Sequence, residues 1–178
     1  MAVKKLTRAQ LVKRFKSIKL LALDVDGVLT NNWLYVGTDG LEFKQFNIAD
    51  GFYMKLAMRS GLPVAIVSGR HSPATDTRMK ELGVKYVMQG KADKPSMLAP
   101  LLKELGIEFS EVAYMGDEIL DLSIGRKVGL PVAVRNAAKE FKEIALYITK
   151  ANGGEGAVRE LIECYFEAVG RDPEEYIY

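Results

Sequence analysis

The sequence predicts an α/β domain, a parallel sheet flanked by helices, with one β-hairpin projecting from it. Three observations lead there. Short apolar runs alternate with longer amphipathic stretches along nearly the whole chain, the written form of strand–helix–strand units. The short runs are apolar at consecutive positions, as in strands covered on both faces. Glycines stand between helix and next strand at Gly61, Gly83, Gly106 and Gly129, where a helix C-terminus favours a left-handed residue.

Residues 7–17 read as a helix, with Thr7 as N-cap and Leu11, Val12 and Phe15 on one face. The first strand is KLLALDVD (19–26). Residues 31–47, NNWLYVGTDGLEFKQFN, then alternate over two arms around Gly37-Thr38-Asp39-Gly40, which is a hairpin signal. Its arms carry Trp33, Tyr35, Phe43 and Phe46. A lone hairpin is marginal in water, so these aromatics need something to pack on. Further strands are expected at 62–69, 84–90, 111–117, 130–134 and 145–149, separated by helices at about 50–60, 73–82, 95–105, 119–127 and 137–143. A last helix, about 156–169, follows the loop Asn152-Gly153-Gly154-Glu155-Gly156. Met54, Met58, Met79 and Met97 fall at helical spacing and read as core. With no repeat or linker, residues 1–178 are expected to form one domain.

Composition excludes several function classes. The net charge of +2 comes from 25 basic and 23 acidic residues mixed along the chain. That is no footprint for nucleic acid. Cys164 is the single cysteine, which rules out an internal disulfide and suits a reducing compartment. The basic N-terminus has no long apolar segment, and no apolar run approaches a bilayer span. A soluble, cytoplasmic protein is the expectation.

Candidate chemistry gathers at strand ends. Asp24 and Asp26 end the first strand and Ser68 the second. Lys94 follows the third, and Asp117 ends the fourth, with Asp121 one helical turn beyond. Open parallel sheets hold ligands at this edge. Each feature alone is ordinary: a DxD pair is usually a turn, and an acidic helix start suits the dipole. Together, four strands deliver polar groups to one edge. Asp24 and Asp26 leave an extended backbone on the same face, and paired carboxylates need a cation or shared proton. A hard cation such as Mg²⁺ suits these oxygens, with Asp117 completing the set. Gly27 permits a sharp turn that exposes amides to an anion. A nucleophile, a metal, donors from Ser68 and a charge from Lys94 are the parts phosphoryl transfer requires.

DVDGVLT (24–30), VSGR (67–70), DK (93–94) and GDEILD (116–121) resemble, in order, the four motifs of the haloacid dehalogenase superfamily. That resemblance implies a Rossmann-like fold and a Mg²⁺-dependent phosphatase. Asp24 would attack phosphorus to form an aspartyl-phosphate. Asp26 would protonate the leaving oxygen and then deprotonate water. The Asp24 carboxylate, the Asp26 carbonyl and Asp117 would hold the metal, with Asp121 supporting the site. Glu118 departs from the usual second aspartate of the last motif and is left outside the metal shell. Lys91 lies one turn from Lys94, and the DK pairing favours Lys94.

There is room for no cap domain: only the hairpin fits between Thr30 and Asp50, and only one helix and strand between Ser68 and Lys94. Selectivity must then come from loops or another subunit. The absent cap, the hairpin and NIADG (47–51) resemble the tetrameric 3-deoxy-D-manno-octulosonate 8-phosphate phosphatases of lipopolysaccharide biosynthesis. That likeness implies a sugar-acid phosphate as substrate, lined by Asp26, Asn47, Ile48, Ala49, Asp50, Gly51, Lys55, Arg70, Arg78 and Lys94. Arginines suit its carboxylate and phosphate, although Lys55 and Arg78 on helices could equally be solvated. GGEGAVRE (153–160) also fits this family, implying a mobile glycine loop, and the tail 171–178 could reach a neighbour's site or fray. The alternatives are a nonulosonate 9-phosphate phosphatase and a non-catalytic oligomerisation module derived from a phosphatase. A receiver domain is disfavoured because Ser68, not Asp, ends the middle strand. His71 and Cys164 read as a solvated helix-start residue and a packing residue.

Overall fold

The computed structural model of the protein describes residues 3–178. In chain order its first elements are α1 (Arg8–Phe15), β1 (Leu20–Leu23), β2 (Tyr35–Val36), β3 (Glu42–Phe43), α2 (Ile48–Arg59) and β4 (Val64–Ser68). There follow α3 (Pro73–Leu82), β5 (Tyr86–Gln89), α4 (Lys94–Leu105), β6 (Val112–Gly116) and α5 (Leu122–Gly125). The chain ends through β7 (Leu130–Ala133), α6 (Lys139–Ile144), β8 (Tyr147–Ile148) and α7 (Ala157–Val169). Six strands pair in parallel in the order β5-β4-β1-β6-β7-β8. The expected α/β fold, without a cap domain, is what forms.

Why the strands formed there is visible in their burial. β1, β4, β6 and β7 are buried at every position, while the edge strand β5 is half-buried. Consecutive apolar residues are therefore needed only in the middle of the sheet. Right-handed crossovers put α2 and α3 on one face and α4, α5 and α6 on the other. α7 returns to the first face and packs between α1 and α2. One continuous core includes Leu11, Phe15, Met54, Met79 and Cys164, with Met58 and Met97 packed against it.

Local signals explain most boundaries. Thr7 and Gln10 form a capping box on α1. α2 starts two residues before its predicted start because the Asn47 side chain accepts the Ala49 and Asp50 N–H groups. Asp93 caps α4, so the DK pair is a cap followed by a first-turn lysine. The predicted helix 119–127 breaks into a 3₁₀ turn (Ile119–Asp121) and the short α5. Gly83 and Gly106 take left-handed caps. Gly129 does not: a Cβ there would sit 1.8 Å from the Ser110 carbonyl oxygen, so close approach is its reason.

The hairpin forms with Tyr35 opposite Phe43 and Val36 opposite Glu42. It projects in one respect only. Trp33, Tyr35 and Phe43 are 68%, 58% and 61% exposed, whereas Phe46 packs on the core. Glu42 and Lys44, on the opposite side, are tied to the sheet edge. The tail is docked on its own chain: the 3₁₀ turn Pro173–Tyr176 packs on Phe166, and the Arg59 guanidinium donates to the Tyr176 carbonyl at 2.9 Å. That is the C-terminal end of α2, the end remote from Asn47. Among the described residues no helix is long and apolar enough to cross a membrane.

Candidate active site

β1 lies between β4 and β6, so its C-terminal end opens where the chain changes direction across the sheet, the place ligands favour. Asp24 emerges there, 7% exposed. Its Oδ1 accepts the Val25 N–H at 2.7 Å and its Oδ2 lies 2.7 Å from Lys94 Nζ. The turn that follows closes on itself: Leu29 N–H donates to the Val25 carbonyl, and Thr30 Oγ1 accepts the Gly27 N–H at 3.3 Å. Gly27 has φ +80°, and a Cβ would lie 2.0 Å from Asp117 Oδ2. Both facts demand glycine.

Lys94 is fully buried and bridges two strands' chemistry. Its Nζ lies 2.7 Å from Asp24 and donates to Asp121 Oδ1 at 2.5 Å and to Tyr114 Oη at 3.0 Å. Tyr114 Oη in turn donates to Asp121 Oδ1 at 2.5 Å. The other Asp121 oxygen accepts the Asp117 and Glu118 N–H groups at 2.8 and 3.0 Å. Asp121 is thus saturated. Burial opposes the charge on Lys94, but Asp24 and Asp121 outweigh it and raise its pKa.

Asp24, Asp117 and Asp121 place carboxylate oxygens within 4.8 Å of one another. Three buried carboxylates face one ammonium, so the cluster carries excess negative charge. Burial, then repulsion from Asp121, lifts Asp24 to about 7 despite Lys94. Burial, then repulsion from Asp24, lifts Asp117 to about 8. Asp117 Oδ1 is buried without a partner. An orphaned hard oxygen beside a frustrated carboxylate pair is the donor set a divalent cation such as Mg²⁺ fits. Asp24 and Asp117 have oxygens to offer; Asp121 does not.

The Asp26 side chain points elsewhere than toward that cluster. Lys44 of the hairpin, its side chain 1% exposed, donates to Asp26 Oδ1 at 2.6 Å. A cavity of about 260 Å³ joins Asp24, Asp26, Ser68, Arg70, Lys94 and Asp117. Four strand-end positions, Asp24, Asp26, Ser68 and Asp117, therefore share one cavity with Arg70 just beyond β4 and Lys94 in the first turn of α4. Ser68 is buried at the end of β4, and Arg70 pairs with Glu42 at 2.5 Å. Glu42 also accepts a hydrogen bond from the Ser72 hydroxyl, which, with Arg70, lowers its pKa.

The 47–51 segment, expected to line the substrate site, does not line this cavity within one chain. Asn47 caps α2, and its amide also donates to the Gly154 carbonyl at 3.3 Å. Asp50 is fully buried: its carboxylate accepts the Arg159 N–H at 2.7 Å and the Gly156 N–H at 3.2 Å. It faces α7, away from the cavity. Gly51 is buried against Arg78, whose other guanidinium nitrogen pairs with Glu81. Ile48 is 81% exposed, Ala49 and Lys55 are half-buried, and none of them lines the cavity. Within one chain Asp26, Arg70 and Lys94 of the expected substrate set line it. Lys91 is exposed, and His71 is a solvated partner of Asp76 at 3.1 Å.

Three residues at this site escaped the sequence reading: Lys44, Glu42 and Tyr114. The alternation of β3 held the signal for the first two, since 42 and 44 share a face opposite Phe43. Tyr114 looked like one more apolar residue of a buried strand.

The chain matches the profile of a haloacid dehalogenase-like hydrolase family over residues 86–161. Over 163 residues it is 39% identical to the 3-deoxy-D-manno-octulosonate 8-phosphate phosphatase KdsC of Escherichia coli K12, covering 92% of this chain and 87% of that one. A solved 3-deoxy-D-manno-octulosonate 8-phosphate phosphatase from Moraxella catarrhalis, in complex with magnesium ion, phosphate ion and KDO, superposes with a TM-score of 0.86. It shares 40% identity, over 89% of this chain and 91% of that one. A probable YrbI family phosphatase from Pseudomonas syringae superposes with a TM-score of 0.90 at 45% identity, over 94% and 95% of the two chains.

Proposed function

Because the chain belongs to the haloacid dehalogenase-like hydrolases, within the family of 3-deoxy-D-manno-octulosonate 8-phosphate phosphatases, we propose that it hydrolyses that sugar-acid phosphate, with Mg²⁺, to the free sugar acid and phosphate. The step belongs to lipopolysaccharide biosynthesis. The observation that carries the reading is the Asp24–Lys94 pair beside the orphaned Asp117 oxygen, at the mouth of a site with no cap.

In this reading Asp24 is the nucleophile, and Lys94 and the Val25 N–H favour its ionised form and aim it. Asp24, Asp117 and the Asp26 carbonyl would hold the metal. When bound, Mg²⁺ neutralises the phosphate oxygens and lowers the repulsion that otherwise favours protonated aspartates. Ser68 donates to the phosphate and Lys94 balances its charge. Asp26 gives a proton to the leaving sugar oxygen as the aspartyl-phosphate forms, then takes one from water as it is cleaved. Lys44 occupies Asp26 Oδ1, and among the described residues no donor takes Oδ2. Arg70 is the group suited to the sugar carboxylate. Asp121 and Tyr114 act through Lys94.

The exposed hairpin aromatics support a second part of the proposal, a homo-oligomer, with four copies as the family suggests. Trp33, Tyr35 and Phe43 form an apolar ribbon that solvent disfavours. Residues 1–178 act as one domain in the cytoplasm. A phosphate-release screen over sugar-acid phosphates, phosphosugars and nucleotides tests the reading. The eight-carbon acid should give the highest kcat/KM. A better nine-carbon acid would move the substrate assignment, and a flat profile would remove it. Asp24→Asn should abolish turnover with the fold intact; retained turnover would remove Asp24 as nucleophile.

A further inference from the structure

The glycine segment expected to be a mobile loop is instead wedged against the turn that carries Asp24 and Asp26. Gly154 N–H donates to the Val28 carbonyl at 2.8 Å. A Cβ on Gly153 would lie 1.6 Å from the Gly27 carbonyl oxygen, and one on Gly154 would lie 2.4 Å from the Thr30 carbonyl carbon. Two glycines are thus required by backbone-on-backbone contact with the catalytic turn. The same turn also meets Asp117, which leaves no space for a Cβ on Gly27.

Two carboxylates pin the ends of this segment. Glu160 accepts the Lys150 N–H at 2.9 Å and the Ala151 N–H at 3.0 Å, and the Tyr147 hydroxyl at 2.9 Å. Asp50 takes the Gly156 and Arg159 N–H groups from within the core. Between them Asn136 accepts the Gly153 N–H at 2.9 Å and Asn47 donates to the Gly154 carbonyl. A connection that merely joined β8 to α7 would need neither the glycines at 153 and 154 nor anchors drawn from α2 and α7.

We propose that residues 150–156 are a backbone strap that sets the position of the Asp24–Gly27 turn against Asp117, and that Asp50 and Glu160 are positioning residues for the reaction. The strap touches the turn and not the cavity, so loosening it should displace Asp26 and Asp117 without removing any group that binds the sugar acid. Small displacements of catalytic groups cost rate steeply, and partners one layer out from metal ligands typically carry 10–100-fold effects.

The test uses the full chain and rests on the phosphatase reading above, with Asp24→Asn as its separate check. Asp50→Asn, Glu160→Gln and Gly153→Ala are compared with Cys164→Ala, a core truncation farther along α7. All are assayed well below their melting temperatures. Direct Mn²⁺ binding by electron paramagnetic resonance is the readout independent of turnover. The strap variants should lose roughly tenfold in kcat with KM little changed and weaken Mn²⁺ binding roughly tenfold. Cys164→Ala should alter neither beyond about twofold at equal loss of melting temperature. Asp50→Asn and Glu160→Gln that fold yet match Cys164→Ala in kcat and Mn²⁺ affinity would overturn the proposal. Should Gly153→Ala fail to fold, the two carboxylate variants decide it. Retained turnover in Asp24→Asn would instead count against Asp24 as nucleophile, and absence of phosphate release from every sugar-acid phosphate by the wild type would count against the phosphatase reading.

Discussion

The residue that repays attention first is Lys94, because its single charge is shared by Asp24 and Asp121 in a buried setting. Replacing Lys94 with Met removes the ammonium and leaves both carboxylates facing each other. Breaking a buried pair in this way costs about 3–5 kcal/mol. Urea unfolding in the absence of metal should show that loss, with phosphate release falling to background; an unchanged midpoint would mean that the carboxylates are relieved by other means. Tyr114→Phe is milder. It deletes one donor to Asp121 and one acceptor from Lys94, so a loss of about 1–3 kcal/mol is expected. Asp24, Asp117 and Lys94 were legible in the sequence because strand ends in a parallel sheet share one edge. Tyr114 was not, because a hydroxyl inside a buried strand looks like any apolar position until its neighbours are placed. Asp50 joined the expected substrate set through family resemblance alone, and only packing shows that its carboxylate caps α7 in the core.

At the scale of elements, strands and helices were read well wherever burial on two faces or an N-cap decided them. Elements set by contacts from elsewhere were not. The 119–127 helix shortens because Asp121 spends its carboxylate on the turn before it. The glycine loop is held by atoms more than a hundred residues away in sequence. Hairpin alternation was recognised, but its two faces serve different ends. One presents Tyr35 and Phe43 to solvent, and the other carries Lys44 to Asp26. This division predicts separable effects. Phe43→Lys should lower the oligomer mass in light scattering, because a charge in an apolar interface is costly. Lys44→Met should leave that mass unchanged while reducing turnover, since the Asp26 carboxylate loses its anchor. Equal mass in wild type and Phe43→Lys would assign the aromatic ribbon a role within one chain.

The whole molecule couples metal, protons and folding through the Asp24–Asp117 pair. Both carboxyls start near 3.8 in the unfolded chain and rise to about 7 and about 8 in the fold. The metal-free native state therefore holds protons that the unfolded state has already released. Its stability is greatest below the unfolded value and falls as pH rises from about 4 toward 8. Lys94 does not enter this window, because its ammonium is charged throughout. A divalent cation takes the place of those protons, so its stabilising effect must grow as they leave. Thermal melts at about pH 6 and pH 8, in chelator and in saturating Mg²⁺, should show this directly. The chelated protein should melt lower at the higher pH, and the increment from Mg²⁺ should be larger there. Asp117→Asn should flatten the pH dependence of the chelated protein and remove most of the Mg²⁺ increment, because it deletes both the raised carboxyl and the orphaned oxygen. A Mg²⁺ increment independent of pH in the wild type would show that the ion binds without displacing protons, and that the buried aspartates are already ionised in the metal-free fold.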